Sequence, residues 1–96
     1  MKIICRKVST GKTKELIQES LEKDIPILTL TPLKRKSLEE KSLAYFQLPV
    51  KTIPIEEAKE YKGKVLIDDI EENIDTLLKL ALNNPNIGID TVTISA

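Results

Sequence analysis

The stretch Lys2 to Leu21, KIICRKVSTGKTKELIQESL, decides how the chain is read. A short apolar run, Ile3-Ile4-Cys5, leads into a polar loop ending Gly11-Lys12-Thr13, and a helical pattern follows with Leu16, Ile17 and Leu21 on one side. Strand, loop and helix in that order is the setting in which Gly-Lys-Thr reads as a phosphate-binding loop rather than as three common residues. A helix N-terminus carries unpaired N–H groups and the positive end of the helix dipole, so an anion settles there. Lys12 adds a charge for outer phosphates, and the Thr13 hydroxyl a magnesium ligand. The full pattern G-x-x-x-x-G-K-[ST] would put its first glycine at Arg6, where a large side chain opposes the wrap of backbone around a phosphate.

Working outward, apolar strand-like runs alternate with helical runs at short spacing. This predicts an α/β fold, a three-layer parallel sheet of about five strands with helices on both faces. Residues 1–96 read as a single domain. The first helix spans about Thr13 to Lys23. Ile25 to Leu30 follows as a strand, with Pro26 at its start. Thr31-Pro32 reads as an N-cap and first helical position, and the helix runs through Leu33, Leu38 and Leu43 to about Phe46. Its first turn carries Lys34, Arg35 and Lys36, cations that oppose the dipole, so this helix start is expected to face an anion such as nucleic-acid phosphate; the plainer reading is three solvated cations.

A third, short strand is expected after Pro49, up to Ile53. Pro54 then opens a helix to about Tyr61, ending near Gly63. Lys64 to Asp69 is an apolar strand running into two carboxylates, and in open α/β sheets ligands bind at such carboxyl ends. The most periodic element is a helix from about Glu71 to Asn83, with Ile70, Ile74, Leu77, Leu78, Ala81 and Leu82 on one stripe. A last strand, Ile89 to about Ser95, alternates Thr91 and Thr93 with Val92 and Ile94, leaving open whether one face is partly wet.

With one cysteine and no histidine in 96 residues, neither an internal disulfide nor a zinc site is expected. No run approaches a membrane span or a signal peptide, so a cytoplasmic location is expected. Charge is zero overall but uneven: residues 1–41 hold 10 Lys+Arg against 6 Asp+Glu, and the remainder 5 against 9. The basic half contains the candidate phosphate loop, which points to an anionic partner; the plainer reading is a scatter of solvated surface charge. Cys5 reads as a core residue. Tyr45, Phe46 and Tyr61 read as core or rim packing, being too few and scattered for a base-stacking platform.

In a nucleotide site, Gly11, Lys12 and Thr13 would hold phosphates, Thr13 and Asp68 would hold Mg2+, and Asp69 would be the catalytic acid that polarises the attacking water. The plainer reading makes Gly11 a turn glycine, Lys12 and Thr13 an ordinary helix start, and Asp68-Asp69 a helix N-cap.

The order of these segments resembles P-loop NTPases, specifically RecA-like helicase domains in reduced form. STGKT (9–13) is similar to their phosphate loop, LTPLKRKSL (30–38) and VKTI (50–53) to their strand-end segments that touch single strands, VLIDD (65–69) to Walker B, and TISA (93–96) to the Ser-Ala-Thr motif. The chain also resembles small proteins of phages and prophages of low-GC Gram-positive bacteria. The resemblance implies Lys12 and Thr13 for phosphate and magnesium, Asp68 for magnesium, Asp69 for water, Ser95 for coupling, and Mg2+ with ATP or another NTP as cofactor. Arg6 and Ser9 replace glycines and Asp69 replaces the usual glutamate. Lys7 stands where a deviant loop form carries a signature lysine, but without that form's paired glycines.

The expected function is nucleotide or phosphate binding with little or no turnover. Alternatives are a weak Mg-dependent ATPase, a non-enzymatic interaction protein that has lost nucleotide binding, and a single-stranded nucleic-acid module using Lys34, Arg35 and Lys36. Partner classes left open are a nucleotide, nucleic acid, a second copy of the chain or a host protein; a membrane is not among them.

Overall fold

In a computed structural model that describes residues 1–7 and 11–95, five strands form one all-parallel sheet in the order β1-β5-β4-β2-β3. The strands are β1 (Lys2–Arg6), β2 (Ile27–Thr29), β3 (Thr52–Pro54), β4 (Gly63–Ile67) and β5 (Ile87–Ser95). The helices are α1 (Lys12–Lys23), α2 (Pro32–Phe46), α3 (Ile55–Ala58) and α4 (Ile74–Asn83), with a 3₁₀ turn over Ile70–Glu72.

The strand order explains the two helical layers. From β1 through β2 to β3 the chain travels one way along the sheet, and from β3 through β4 to β5 it travels back. Crossovers of one hand therefore put α1 and α2 on one face and α3 and α4 on the other. Alternation along each strand divides the core to match. Ile27 and Leu66 pack with Leu16, Ile17, Leu38 and Val50 beneath α1 and α2. Leu28, Val65 and Ile67 pack with Ala58, Leu77, Leu80 and Val92 beneath α3 and α4.

Local chemistry sets the helix ends. Thr31 caps α2 as expected, its hydroxyl accepting from the Lys34 N–H at 3.1 Å, with Pro32 in the first helical position. Asp24 and Gln47 adopt left-handed φ values of 55° and 57° where α1 and α2 stop. Buried Ser20 and Ser42 donate to the carbonyls of Ile25 and Leu48, tying each helix end to the chain that enters the next strand. The buried Asn84 amide donates to the carbonyls of Ala58 and Tyr61 at 2.8 and 2.9 Å, so the ends of α3 and α4 are held together.

Several expectations change: α4 starts at Ile74 rather than Glu71 and β5 at Ile87 rather than Ile89. The third strand begins only at Thr52 and takes in Pro54. Helix α3 stops at Ala58, not Tyr61, and Gly63 starts β4 with φ 141°, its Cα facing the Tyr61 ring at a spacing that leaves a Cβ only 3.3 Å away. The α4 stripe is rotated: Leu77 and Leu80 are buried, whereas Ile74, Leu78, Ala81 and Leu82 are exposed. Cys5 is exposed as well. Along β1, Lys2, Ile4 and Arg6 turn to the α1 side, where Ile4 is buried and Glu19 and Glu15 pair with the two cations. Ile3 and Cys5 lie on the opposite side of this edge strand; Ile3 is 57% exposed.

The rotation of α4 is testable by urea unfolding. Leu77→Ala should cost about 2–4 kcal/mol, while Leu82→Gln should change stability by no more than about 0.5 kcal/mol. Equal losses would contradict this packing.

Candidate functional site

Strand ends bring the sequence-selected residues to one place. α1 begins after β1 and carries Lys12 and Thr13 in its first turn, Asp68 and Asp69 follow β4, and α2 begins after β2 and carries Lys34 in its first turn. All lie at carboxyl ends of parallel strands, where outgoing chains leave toward opposite faces. β1 and β4 are not neighbours; β5 lies between them and supplies Thr93.

Gly11 starts α1 with φ 83°, a left-handed conformation that side chains other than Asn and Asp rarely take. Its carbonyl accepts the first helical hydrogen bond, from Glu15 N–H at 3.1 Å. Val8, Ser9 and Thr10, on which the phosphate-loop reading places the wrap of backbone, lie outside the described residues, as does Ala96. Arg6 ends β1 with its guanidinium 2.6 Å from the Glu15 carboxylate of α1.

The charged groups form a closed network. Lys12, which is buried, donates from Nζ to Asp69 Oδ1. Lys34 Nζ bridges both acids, 2.7 Å from Asp68 Oδ2 and 2.6 Å from Asp69 Oδ2. The Thr13 hydroxyl donates to Asp68 Oδ2 at 3.0 Å. Thr93 is wholly buried; its hydroxyl donates to Asp68 Oδ1 and accepts the Asp69 N–H at 2.8 Å. That N–H is presented by a left-handed turn at Asp69, φ 52°, ψ 56°, a conformation an aspartate tolerates better than most residues.

Burial works against charge on Asp69, but hydrogen bonds and charges from Lys12 and Lys34 outweigh it and hold its carboxyl below the ordinary value. Burial likewise works against charge on Lys34, and hydrogen bonds and charges from Asp68 and Asp69 outweigh it, so the ammonium keeps its proton above the ordinary lysine value. The anion that the cationic start of α2 was expected to face is therefore internal. Lys34 turns in to the two acids, Arg35 pairs with Glu39 at 3.0 Å, and Lys36 is exposed, so the three do not form one cationic strip.

Thr93 is the site residue the sequence hides. Its alternation with Val92 and Ile94 marks a face, and only the placement of β5 between β1 and β4 makes that face dry. Ser95 offers its backbone N–H to Glu71 at 2.7 Å. Phe46 packs against the core and Tyr61 is partly buried against it, but Tyr45 stands beside Gly11, Lys12, Thr13 and Lys14 on the wall of an open recess of about 300 Å³.

The donor set suits magnesium only in part. Thr13 and Asp68 present a hydroxyl and a carboxylate to each other, the hard oxygens that ion takes, but no group of three or more acidic or thiol side chains gathers at one point among the described residues. The Lys34 ammonium lies 2.7 Å from the same Asp68 oxygen, so an ion there would have to take its place and complete its coordination with ligand phosphates and water. No helix among the described residues is long and apolar enough to cross a membrane. No model of a known family, no curated protein and no solved structure matches this chain.

The two shifts set opposite pH limits. Asp69 stabilises the fold fully above its unfolded pKa of about 3.9 and ceases to as pH falls through its lower folded value; Lys34 does so below about 10.4 and ceases to as pH rises through its higher folded value. The stability difference between the protein and Asp69→Asn, from urea midpoints, should be constant from about pH 5 to 9 and shrink below about pH 4. A difference that persists undiminished at pH 2 would contradict the network.

Proposed function

We propose that the chain binds the phosphates of a nucleotide, with magnesium, at the first turn of α1 and turns them over slowly or not at all. The observation that carries this reading is the convergence of Lys12 and Thr13 with Asp68 and Asp69 at one carboxyl edge. On this reading the α1 N-terminus accepts the anion, and Lys12 exchanges one oxygen partner, Asp69, for another on the outer phosphates. Lys34 then keeps Asp69 paired, so that carboxylate is not stranded. Thr13 and Asp68 would hold the magnesium ion, which when bound would neutralise phosphate charge.

Slow turnover follows from Asp69. A general base works best with a pKa near the operating pH. With Lys12 moved to the phosphates, Lys34 still pairs with Asp69, and a carboxylate held by an ammonium group accepts a proton from water poorly. That weighs against the weak ATPase. The inward turn of Lys34 weighs against a nucleic-acid module built on Lys34, Arg35 and Lys36.

A second reading has its own observations. The two lysines and two aspartates neutralise one another without a ligand, and Ile74, Leu78 and Leu82 leave an apolar stripe exposed on α4. Both suit a non-enzymatic interaction protein in which the network only fastens the starts of α1 and α2 to the turn after β4.

Thermal unfolding separates the two. With MgATP at a hundredfold excess over its Kd, the protein should gain about 2.7 kcal/mol, read as a rise of roughly 10 °C or more in a domain this small. Lys12→Ala should show no such rise over its own unliganded midpoint, and phosphate release should stay at background. A wild-type midpoint that no nucleotide moves would favour the interaction protein.

A further inference from the structure

We propose that Tyr45 is the base-stacking wall of this site, so that the ligand is a purine nucleoside di- or triphosphate rather than any compound that carries phosphates. The inference rests on the phosphate reading above. The recess beside the first turn of α1 is bounded by Gly11, Lys12, Thr13, Lys14 and Tyr45. At about 300 Å³ it has room for a base and sugar, at the small end of ligand pockets. A ring and a phosphate-binding helix start on one wall match the two ends of a nucleotide.

Tyr45 is placed to serve as a platform. It is 46% exposed, although an aromatic ring gains most from burial. Its neighbour Phe46 is partly buried against the core beneath α1 and α2, and the two rings meet edge to face, centroids 6.2 Å apart at 70°. That contact anchors Tyr45 from the core side. The Lys14 ammonium lies 5.3 Å from the Tyr45 ring centre, so a π surface of this ring is turned toward the start of α1.

Lys14 does not close the platform. An exposed cation–π contact is weak beside the stacking of a base on an aromatic ring, so a base displaces it. The freed ammonium, one residue beyond Thr13, then lies next to the phosphates it can pair with. A purine, with the larger π surface, gains more from this wall than a pyrimidine.

Titration calorimetry with ATP, CTP and inorganic tripolyphosphate, each with magnesium, tests the inference on the wild type, Tyr45→Ala and Tyr45→Phe. Tyr45→Ala should weaken ATP roughly tenfold or more, leave tripolyphosphate unchanged and abolish a preference for ATP over CTP; Tyr45→Phe should stay within about twofold of wild type. If wild type and Tyr45→Ala bind ATP and tripolyphosphate equally well, Tyr45 is no platform while the phosphate site stands. Equal weakening of ATP and tripolyphosphate in Tyr45→Ala would mean that the ring only supports the loop, and would also overturn the inference. If wild type binds none of the three, both readings fall.

Discussion

The grip of Lys12 and Lys34 on Asp68 and Asp69 is the interaction on which the working end of this molecule depends. Four charged side chains from three separate strand-to-helix junctions meet at one edge of the sheet. Partly buried charges of this kind are costly unless each is paired and hydrogen-bonded. Here Asp68 is paired with Lys34 and accepts from the Thr13 and Thr93 hydroxyls, while Asp69 is held by both Lys12 and Lys34. The network holds the starts of α1 and α2 to the turn after β4. It also holds Lys12 at the head of α1, where the dipole alone would repel a cation.

The sheet order makes this possible. Because β5 lies between β1 and β4, Thr93 comes up beneath both aspartates. Because the chain reverses its direction of travel at β3, the helices divide between the faces and the loops part at the carboxyl edge. The division is uneven. α1 covers one side of β1 and takes up its cations through Glu15 and Glu19, whereas Ile3 and Cys5 are exposed on the other.

Much of this was legible in the residues. The strand-loop-helix order around Gly11-Lys12-Thr13, the Thr31-Pro32 start of α2 and the apolar run into Asp68-Asp69 are local signals, and the parallel five-stranded sheet follows from their alternation. What was not legible depends on neighbours far along the chain. In α4, Leu77 and Leu80 compete with Ile74, Leu78 and Leu82 as two overlapping stripes, and periodicity cannot say which meets the sheet. Cys5 ends an apolar run, but a run on an edge strand is covered only where a helix lies over it. Lys34 breaks the dipole rule at the start of α2. In the sequence that mismatch reads as a start facing an anion such as nucleic-acid phosphate or as solvated cations, and it took the fold to show that Lys34 turns in to Asp68 and Asp69. Tyr45 reads as core or rim packing until its helix brings it beside α1.

The central claim is that this charge network is a phosphate site at rest rather than a fastening alone. Following the backbone amide resonances of the protein while MgATP is added tests it most directly. The account predicts saturable shifts concentrated at Gly11 to Lys14, Lys34, Asp68, Asp69 and Thr93, with the exposed side of α4 unmoved. Amides at the carboxyl edge that stay in place at millimolar MgATP, or shifts gathered instead on α4, would contradict it.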